Sequence, residues 1–266
     1  MSDKRPIITL TTDFGEADYF VAAIKGVIYS INPSVEIVDI THQIPPHDVY
    51  DAAFTLMCCS GEFPRNTVHL VVVDPGVGST RRPIMVMADE HQFVGPDNGV
   101  FSYVYQRQEM HRIVHLTEGH YFRSPLSGTF HGRDIFAPIA AYLSKSIEWR
   151  MLGEEIADPV RFNTPTPTVI SGRQIRGSVI HIDRFGNVIT NITREELPDE
   201  RVQSGARVRI GKHATERVLT HYAEAAGDEL FAYFGSAGFL ELAVNRQSAA
   251  RIVEARRGLE VEVICG

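Results

Sequence analysis

Apolar positions follow two rhythms along this chain, and the change falls near residue 165. In the first part, Ile7–Thr12 predicts a strand covered on both faces. Phe20, Ala23, Ile24, Val27, Ile28 and Ile31 then recur at helical spacing until Asn32-Pro33 ends the run. A strand over 35–40, a helix over 48–57 and a fully apolar strand over 68–73 follow, with further strands over 84–88 and 113–116. The spacing predicts a helix over 133–143 carrying Ile135, Phe136, Ile139 and Tyr142 on one face. Strands and helices alternate in the βαβ manner, so an α/β unit with a mostly parallel sheet is expected.

After residue 165 the runs are short and β-rich, over 178–182, 188–192, 207–210, 217–222, 230–234, 239–244 and 259–264, divided by Gly, Asn or Asp. The last of them, LEVEVI, alternates apolar and polar side chains as a half-buried antiparallel strand does. A small β-barrel or sandwich is expected here. Thirteen of the 14 prolines lie at or before Pro167, and the NTPTPT stretch over 163–168 reads as an extended linker. The chain therefore divides into an α/β domain over 1–165 and a small β-barrel domain over 170–266.

Charge narrows the partners. Lys+Arg number 26 and Asp+Glu 33, a net −7 with no basic field to condense on nucleic acid or anionic lipid. From Gly172 onward the two signs balance, so the negative excess lies in the first part, where it would suit a cationic ligand but by itself reads first as a solvated acidic surface that keeps the chain soluble. No apolar run approaches the ~20 residues of a membrane span. The start of the chain has the pattern of neither a signal nor a transit peptide. Cys58 and Cys59 are adjacent and Cys265 is distant, so no disulfide framework is implied, and a reducing cytoplasm fits.

Chemistry-bearing residues cluster at predicted strand ends. Asp13, in TTDFG, closes the first strand, where a carboxylate can accept hydrogen bonds from a ribose diol; Asp18, just before the first helix, is a ligand contact or a helix cap. Asp74 follows the most buried strand in DPGVGSTRR, with Arg81 and Arg82 near enough to return to it. That loop lacks both the phosphate-loop ending and the dinucleotide fingerprint. His131 opens the later helix, whose N-terminus favours a neutral imidazole able to orient water; with Asp134 it also has the spacing of two metal ligands, though no third appears. In the second part, Asp183, Phe185 and Asn187 sit in a turn between strands, which taken alone reads as a β-turn with a core Phe, while a ring beside an amide can also stack on and hydrogen-bond a nucleobase.

Together TTDFG (11–15), VVDPGVGSTRR (72–82), GPDNG (95–99), GTFHGRDIFAPIAA (128–141), IDRFGNVITNI (182–192) and FGSAGFLELAVN (234–245) resemble the S-adenosyl-L-methionine (SAM) hydroxide adenosyltransferase family, relatives of the bacterial fluorinase and chlorinase. The resemblance implies attack of water or hydroxide on the ribose C5′ of SAM, giving adenosine and L-methionine. Asp74, Arg81 and His131 would be the catalytic set. Asp13 would take the ribose hydroxyls, Phe185 and Asn187 the adenine, and Ser236, Glu241 and Val244 the nucleoside or methionine end. Asp18, Asn98 and Asp183 would be further substrate contacts. It also implies no cofactor or metal, and a homotrimer with sites between neighbouring subunits. Three rivals stand: a halogenase, disfavoured by Gly132 where those relatives carry Ser and by the anionic Asp74; a non-catalytic nucleoside-binding module; and a metal hydrolase using His131 and Asp134.

Overall fold

The computed structural model describes residues 5–88, 90–107, 111–225 and 227–266; residues 1–4, part of the stretch read for a targeting signal, lie outside that set. The chain forms two compact units, Met1–Asn163 and Thr164–Gly266.

Unit one is built on seven strands: β1 (Ile7–Thr12), β2 (Glu36–Thr41), β3 (Val68–Val72), β4 (Pro83–Ala88), β5 (His91–Pro96), β6 (His111–Leu116) and β7 (Gly153–Ile156), in the order β2-β1-β3-β5-β4-β6-β7. β2, β1, β3 and β5 run parallel; β4 is antiparallel to β5 and β6, and β7 to β6. Burial on both faces explains why β3 reads as a continuous run: Leu70 and Val72 enter one core, Val71 and Val73 the other. Helix α1 (Phe20–Ile31) packs Ile24 and Ile28 into the first core, and α2 (Val49–Cys59) packs Leu56 into the second. Asp48 caps α2 by accepting the Asp51 amide at 3.0 Å.

Three expectations for this unit need correction. β5 was not predicted, because its sequence starts polar and ends in Gly-Pro. Gly95 is there for close approach, since a Cβ would stand 2.6 Å from the Val71 carbonyl oxygen. The strand expected to be fully apolar contains His69, which is buried and satisfied by the Thr9 hydroxyl at 2.8 Å. The helix expected over 133–143 is a π turn (Gly132–Phe136) leading into α-helix Ala137–Ser144. Pro138 supplies the reason. It has no N–H to give the Asp134 carbonyl, which instead accepts the Arg123 amide at 2.9 Å, while the Ala137 amide reaches back to Gly132.

Unit two is a nine-stranded sheet: β8 (Thr168–Ser171), β9 (Gln174–Ile182), β10 (Val188–Thr193), β11 (Ala206–Ile210), β12 (His213–Thr215), β13 (Val218–Leu219), β14 (Leu230–Phe234), β15 (Phe239–Val244) and β16 (Glu260–Cys265). Its order is β12-β11-β16-β9-β10-β15-β14-β13, with β8 on β9; β12 returns against β14, making a nearly closed barrel. Ile175, Val188, Val208, Leu240, Leu242 and Val261 fill its interior. The strand expected over 217–222 shrinks to β13, because Tyr222–Glu224 turns as a 3₁₀ helix. β8 and β12 were not anticipated. Glu262 breaks the expected alternation of β16: it is buried, and Arg209 at 3.3 Å and Gln174 engage it.

The buried His69 gives unit one an acid sensitivity. Burial, reinforced by the neighbouring His91, pushes its imidazole down to about 3. An unfolded chain takes that proton near pH 6.5, so the unfolded state binds more protons between those values, and stability present above ~6.5 is lost as pH falls, at up to about 1.4 kcal/mol per pH unit. His69→Gln is expected to flatten that part of the stability–pH curve in urea unfolding; an unaltered slope would remove His69 from the acid response.

Candidate active site

The carboxyl ends of β1 and β3 open onto a cavity of about 320 Å³. Asp13 follows β1, Asp74 lies just past β3, and His131 precedes the π turn; all three line it, as the ends of parallel strands line ligand crevices elsewhere. Phe14, Phe20, Pro46, His47, Thr129 and Phe130 complete much of the wall. The Phe20 and Phe130 rings meet edge to face at 5.3 Å between centroids, giving that wall a rigid apolar side.

Behind the wall, Arg81 joins the acid to the imidazole. Its Nε donates to Asp74 Oδ1 at 2.9 Å, Nη2 donates to Asp74 Oδ2, and Nη2 also reaches His131 Nδ1 at 2.7 Å. Asp74 and Arg81 are buried, with side chains 5% and 8% exposed. A guanidinium only donates, so His131 Nδ1 must accept and the ring proton sits on Nε2. Burial, then the Arg81 guanidinium, pushes the His131 pKa down, and the imidazole is neutral near pH 7. Arg81 Nη1 is buried with no hydrogen-bond partner among the described residues.

The choice between two adjacent arginines is thereby decided by geometry. Arg82 turns away: its Nε donates to Asp97 at 2.9 Å and its Nη1 to Asp158 at 2.8 Å. Asp134 is likewise committed elsewhere. Burial alone would raise it, but Arg133, with hydrogen bonds of 2.6 and 2.8 Å, and the Ser127 amide outweigh burial and hold it below the usual carboxylate range. The His131/Asp134 metal reading loses its second ligand this way, and among the described residues no group of three metal-ligating side chains occurs.

Two expected contacts do not line this cavity. Asp18 is exposed, and it does not cap α1 either: Tyr19 holds the cap position with no side-chain bond. Asn98 faces the backbone instead, its Nδ2 donating to the Val73 carbonyl at 2.9 Å and its Oδ1 accepting the Val100 amide at 3.2 Å. Asp13 spends one oxygen on the His47 amide at 2.8 Å, and His47 takes a left-handed φ of 67° there.

Unit two has its own open cavity of about 770 Å³, lined by Asp183, Phe185, Asn187, Ser236, Glu241 and Val244. Asp183 builds the turn between β9 and β10: Oδ1 accepts the amides of Phe185 at 2.9 Å and Asn187 at 2.8 Å, and Oδ2 accepts Asn187 Nδ2 at 2.7 Å. Phe185 is left 79% exposed at the rim. Sequence reading missed Tyr222 and Tyr233, whose hydroxyls donate to Asn187 Oδ1 at 2.6 Å and to Glu241. Nothing local marks them, because the turn and strand that carry them only meet β10 and β15 in the folded sheet. Burial pushes Glu241 up against the lowering hydrogen bond from Tyr233.

An α/β unit with a hydrogen-bonded acid–guanidinium–imidazole trio at a small cavity, and a barrel unit with an aromatic-rich cavity, define an enzyme acting on a small molecule. Residues 8–153 match the SAM hydroxide adenosyltransferase N-terminal domain and 177–262 its C-terminal domain. The chain belongs to the SAM hydroxide adenosyltransferase family. It is 34% identical to an (R)-S-adenosyl-L-methionine hydrolase of Methanocaldococcus jannaschii, over 98% of this chain and 97% of that protein. A fluorinase of Nocardia brasiliensis is 29% identical over 99% of this chain and 98% of that protein. Among solved structures, an uncharacterized conserved protein from Thermotoga maritima superposes with a TM-score of 0.91 at 36% identity, covering 97% of this chain and 99% of that one.

The loops that carry Asp74 and His131 interlock at Gly78. It has φ +77°, and a Cβ there would stand 2.3 Å from the Gly128 carbonyl oxygen. Gly78→Ala is expected to lower stability by at least about 2 kcal/mol in urea unfolding, through backbone strain and loop separation together. A variant as stable as the parent would mean the loops are not locked there.

Proposed function

We propose that this protein hydrolyses SAM to adenosine and L-methionine by in-line attack of water or hydroxide at the ribose C5′. The observation that carries this reading is the hydrogen-bonded Asp74–Arg81–His131 trio at a cavity it shares with Asp13. The name of the Methanocaldococcus relative supports it, with the fluorinase more distant at 29% against 34% identity.

A sulfonium leaves as a neutral thioether and needs no general acid, so the demand falls on the nucleophile. His131 Nε2–H donates to the attacking oxygen, and Asp74 accepts the proton when that oxygen belongs to water. Arg81 fixes both side chains, and its positive charge favours an anionic nucleophile when hydroxide is the attacking species. As C5′–O forms, C5′–S breaks and its electron pair stays on sulfur; the proton passes through Asp74 to solvent. An anionic oxygen and a cationic sulfonium cancel each other's charge, which the dry wall of Phe14, Phe20 and Phe130 favours. Asp13 Oδ1, left open by the His47 bond, is proposed to accept from the ribose diol. Phe185 and Asn187 are proposed to meet the adenine, and Ser236, Glu241 and Val244 the nucleoside or methionine end.

Gly132 argues against the halogenase reading. An added Cβ would stand 3.2 Å from Ile24 and Val72 side-chain carbons and 3.4 Å from Phe130, so a halide-holding hydroxyl there would need repacking. No metal or cofactor is proposed, because the reaction balances without one. A homotrimer with sites between neighbouring subunits is proposed, supported by the 79% exposure of Phe185 beside its cavity. The compartment proposed is the reducing cytoplasm, supported by a cysteine spacing, Cys58 beside Cys59 with Cys265 distant, that implies no disulfide framework.

The test is turnover of SAM in water carrying heavy oxygen, with and without chloride. Heavy oxygen at C5′ of adenosine is the expected result, and a chlorinated nucleoside would overturn it. Asp74→Ala is expected to lower kcat by more than ~10-fold while adenosine still binds in calorimetry. An unchanged kcat would take Asp74 out of the chemistry.

A further inference from the structure

The acid and the arginine of the trio stand at the two ends of one loop, and consecutive residues of another segment grip both ends. Asn98 holds the carbonyl of Val73, the residue before Asp74, at 2.9 Å. Asp97 holds Arg82, the residue after Arg81, by its side chain and by its backbone. Oδ2 accepts Arg82 Nε at 2.9 Å and stands 2.7 Å from Nη2 in the ion pair, and the Asp97 amide donates to the Arg82 carbonyl at 2.9 Å. The Asp97 side chain is only 2% exposed, and its other oxygen accepts the Val160 amide at 2.8 Å. Asp158 closes the clamp on Arg82 from outside, with side chain and carbonyl at 2.8 and 2.7 Å.

We propose that Asp97 and Asn98 form a clip that positions Asp74 and Arg81 for the reaction, Asn98 acting as a positioning residue and not as a substrate contact. Two neighbouring arginines compete for one loop acid, and a single residue separates productive from unproductive pairing. By engaging Arg82 with a buried carboxylate of its own, Asp97 leaves Asp74 to Arg81. Fixing the Val73 carbonyl sets where the Asp74 backbone leaves the sheet, and with it the angle at which the carboxylate meets the guanidinium. Displacements well under a hydrogen-bond length matter here, since a misplacement of about 1 Å can cost roughly 100-fold in rate.

This inference rests on the hydrolase reading for its kinetic part, so the experiment has two readouts. The first is the split between kcat and KM for SAM in Asn98→Ala and Asp97→Asn. Positioning predicts a fall in kcat of about 10- to 100-fold with KM within about twofold. The second is hydrogen exchange of the Arg81 Nε–H in protein labelled with ¹⁵N-arginine, its resonance identified by loss in Arg81→Lys. Buried against Asp74 it is protected in the parent, and the clip variants are expected to exchange at least about tenfold faster.

Where the parent turns over SAM, both changes together support the clip, and either one alone overturns it. A rise in KM matching the fall in kcat also overturns it, since it would make Asn98 a ligand contact. A parent with no turnover of SAM would sink the hydrolase reading, and the exchange rates would then decide the clip by themselves. Circular dichroism checks each variant for folding. Asp158→Asn, on a side chain 81% exposed, is the milder lesion to the same clamp and is read in the same two ways if the buried substitutions unfold.

Discussion

One guanidinium organises the unit-one cavity. Arg81 bonds both oxygens of Asp74 and the Nδ1 of His131, and each bond removes a freedom that chemistry at this place cannot tolerate. The carboxylate cannot rotate away, the imidazole cannot change tautomer, and its Nε2–H is committed to donating. Burying a charge pair is costly unless its hydrogen bonds are made, and here nearly all of them are, within a site too dry to screen them. The neutral state of His131 follows from the same arrangement, since a cation beside an already buried ring opposes a second positive charge.

The fold serves this contact from several directions. Parallel strands bring Asp13 and Asp74 to one edge of the sheet. Pro138 forces the π turn, which sets how His131 enters the helix that follows. Gly78 and Gly95 allow backbones to approach more closely than any side chain would permit. Residues with no chemistry of their own thus fix the residues that have it.

In the second unit the same economy appears in a different material. Asp183 spends its carboxylate on a turn, and that turn fixes Asn187 while leaving Phe185 to project. The two tyrosines then tie Asn187 and Glu241 into one network across β10, β14, β15 and the 3₁₀ turn at Tyr222–Glu224. Such a network holds its polar groups at fixed positions because each has a partner inside the sheet.

By itself the sequence determined what depends on local pattern and on short motifs: the change of rhythm near residue 165, the parallel strands β1, β2 and β3, most of the barrel strands, and Asp74, His131 and an arginine at 81 or 82 as the residues of interest. Contacts distant along the chain were decided only by the tertiary structure. Asp13 and Asp74 are 61 positions apart and line one cavity because β1 and β3 pair in register. Arg81 and Arg82 are equivalent as letters, and the choice between them was made by Asp97, which meets Arg82 only once β4 and β5 are paired. β5 stayed hidden because its Gly-Pro ending reads as a turn until Val71 and Phe101 close around Gly95. Asn98 and Asp18 resembled ligand contacts by motif; the folded chain turns one toward the backbone and leaves the other at the surface. Pattern carries periodicity and residue type, but a side chain's partner depends on which segments the fold brings within about 3 Å of it.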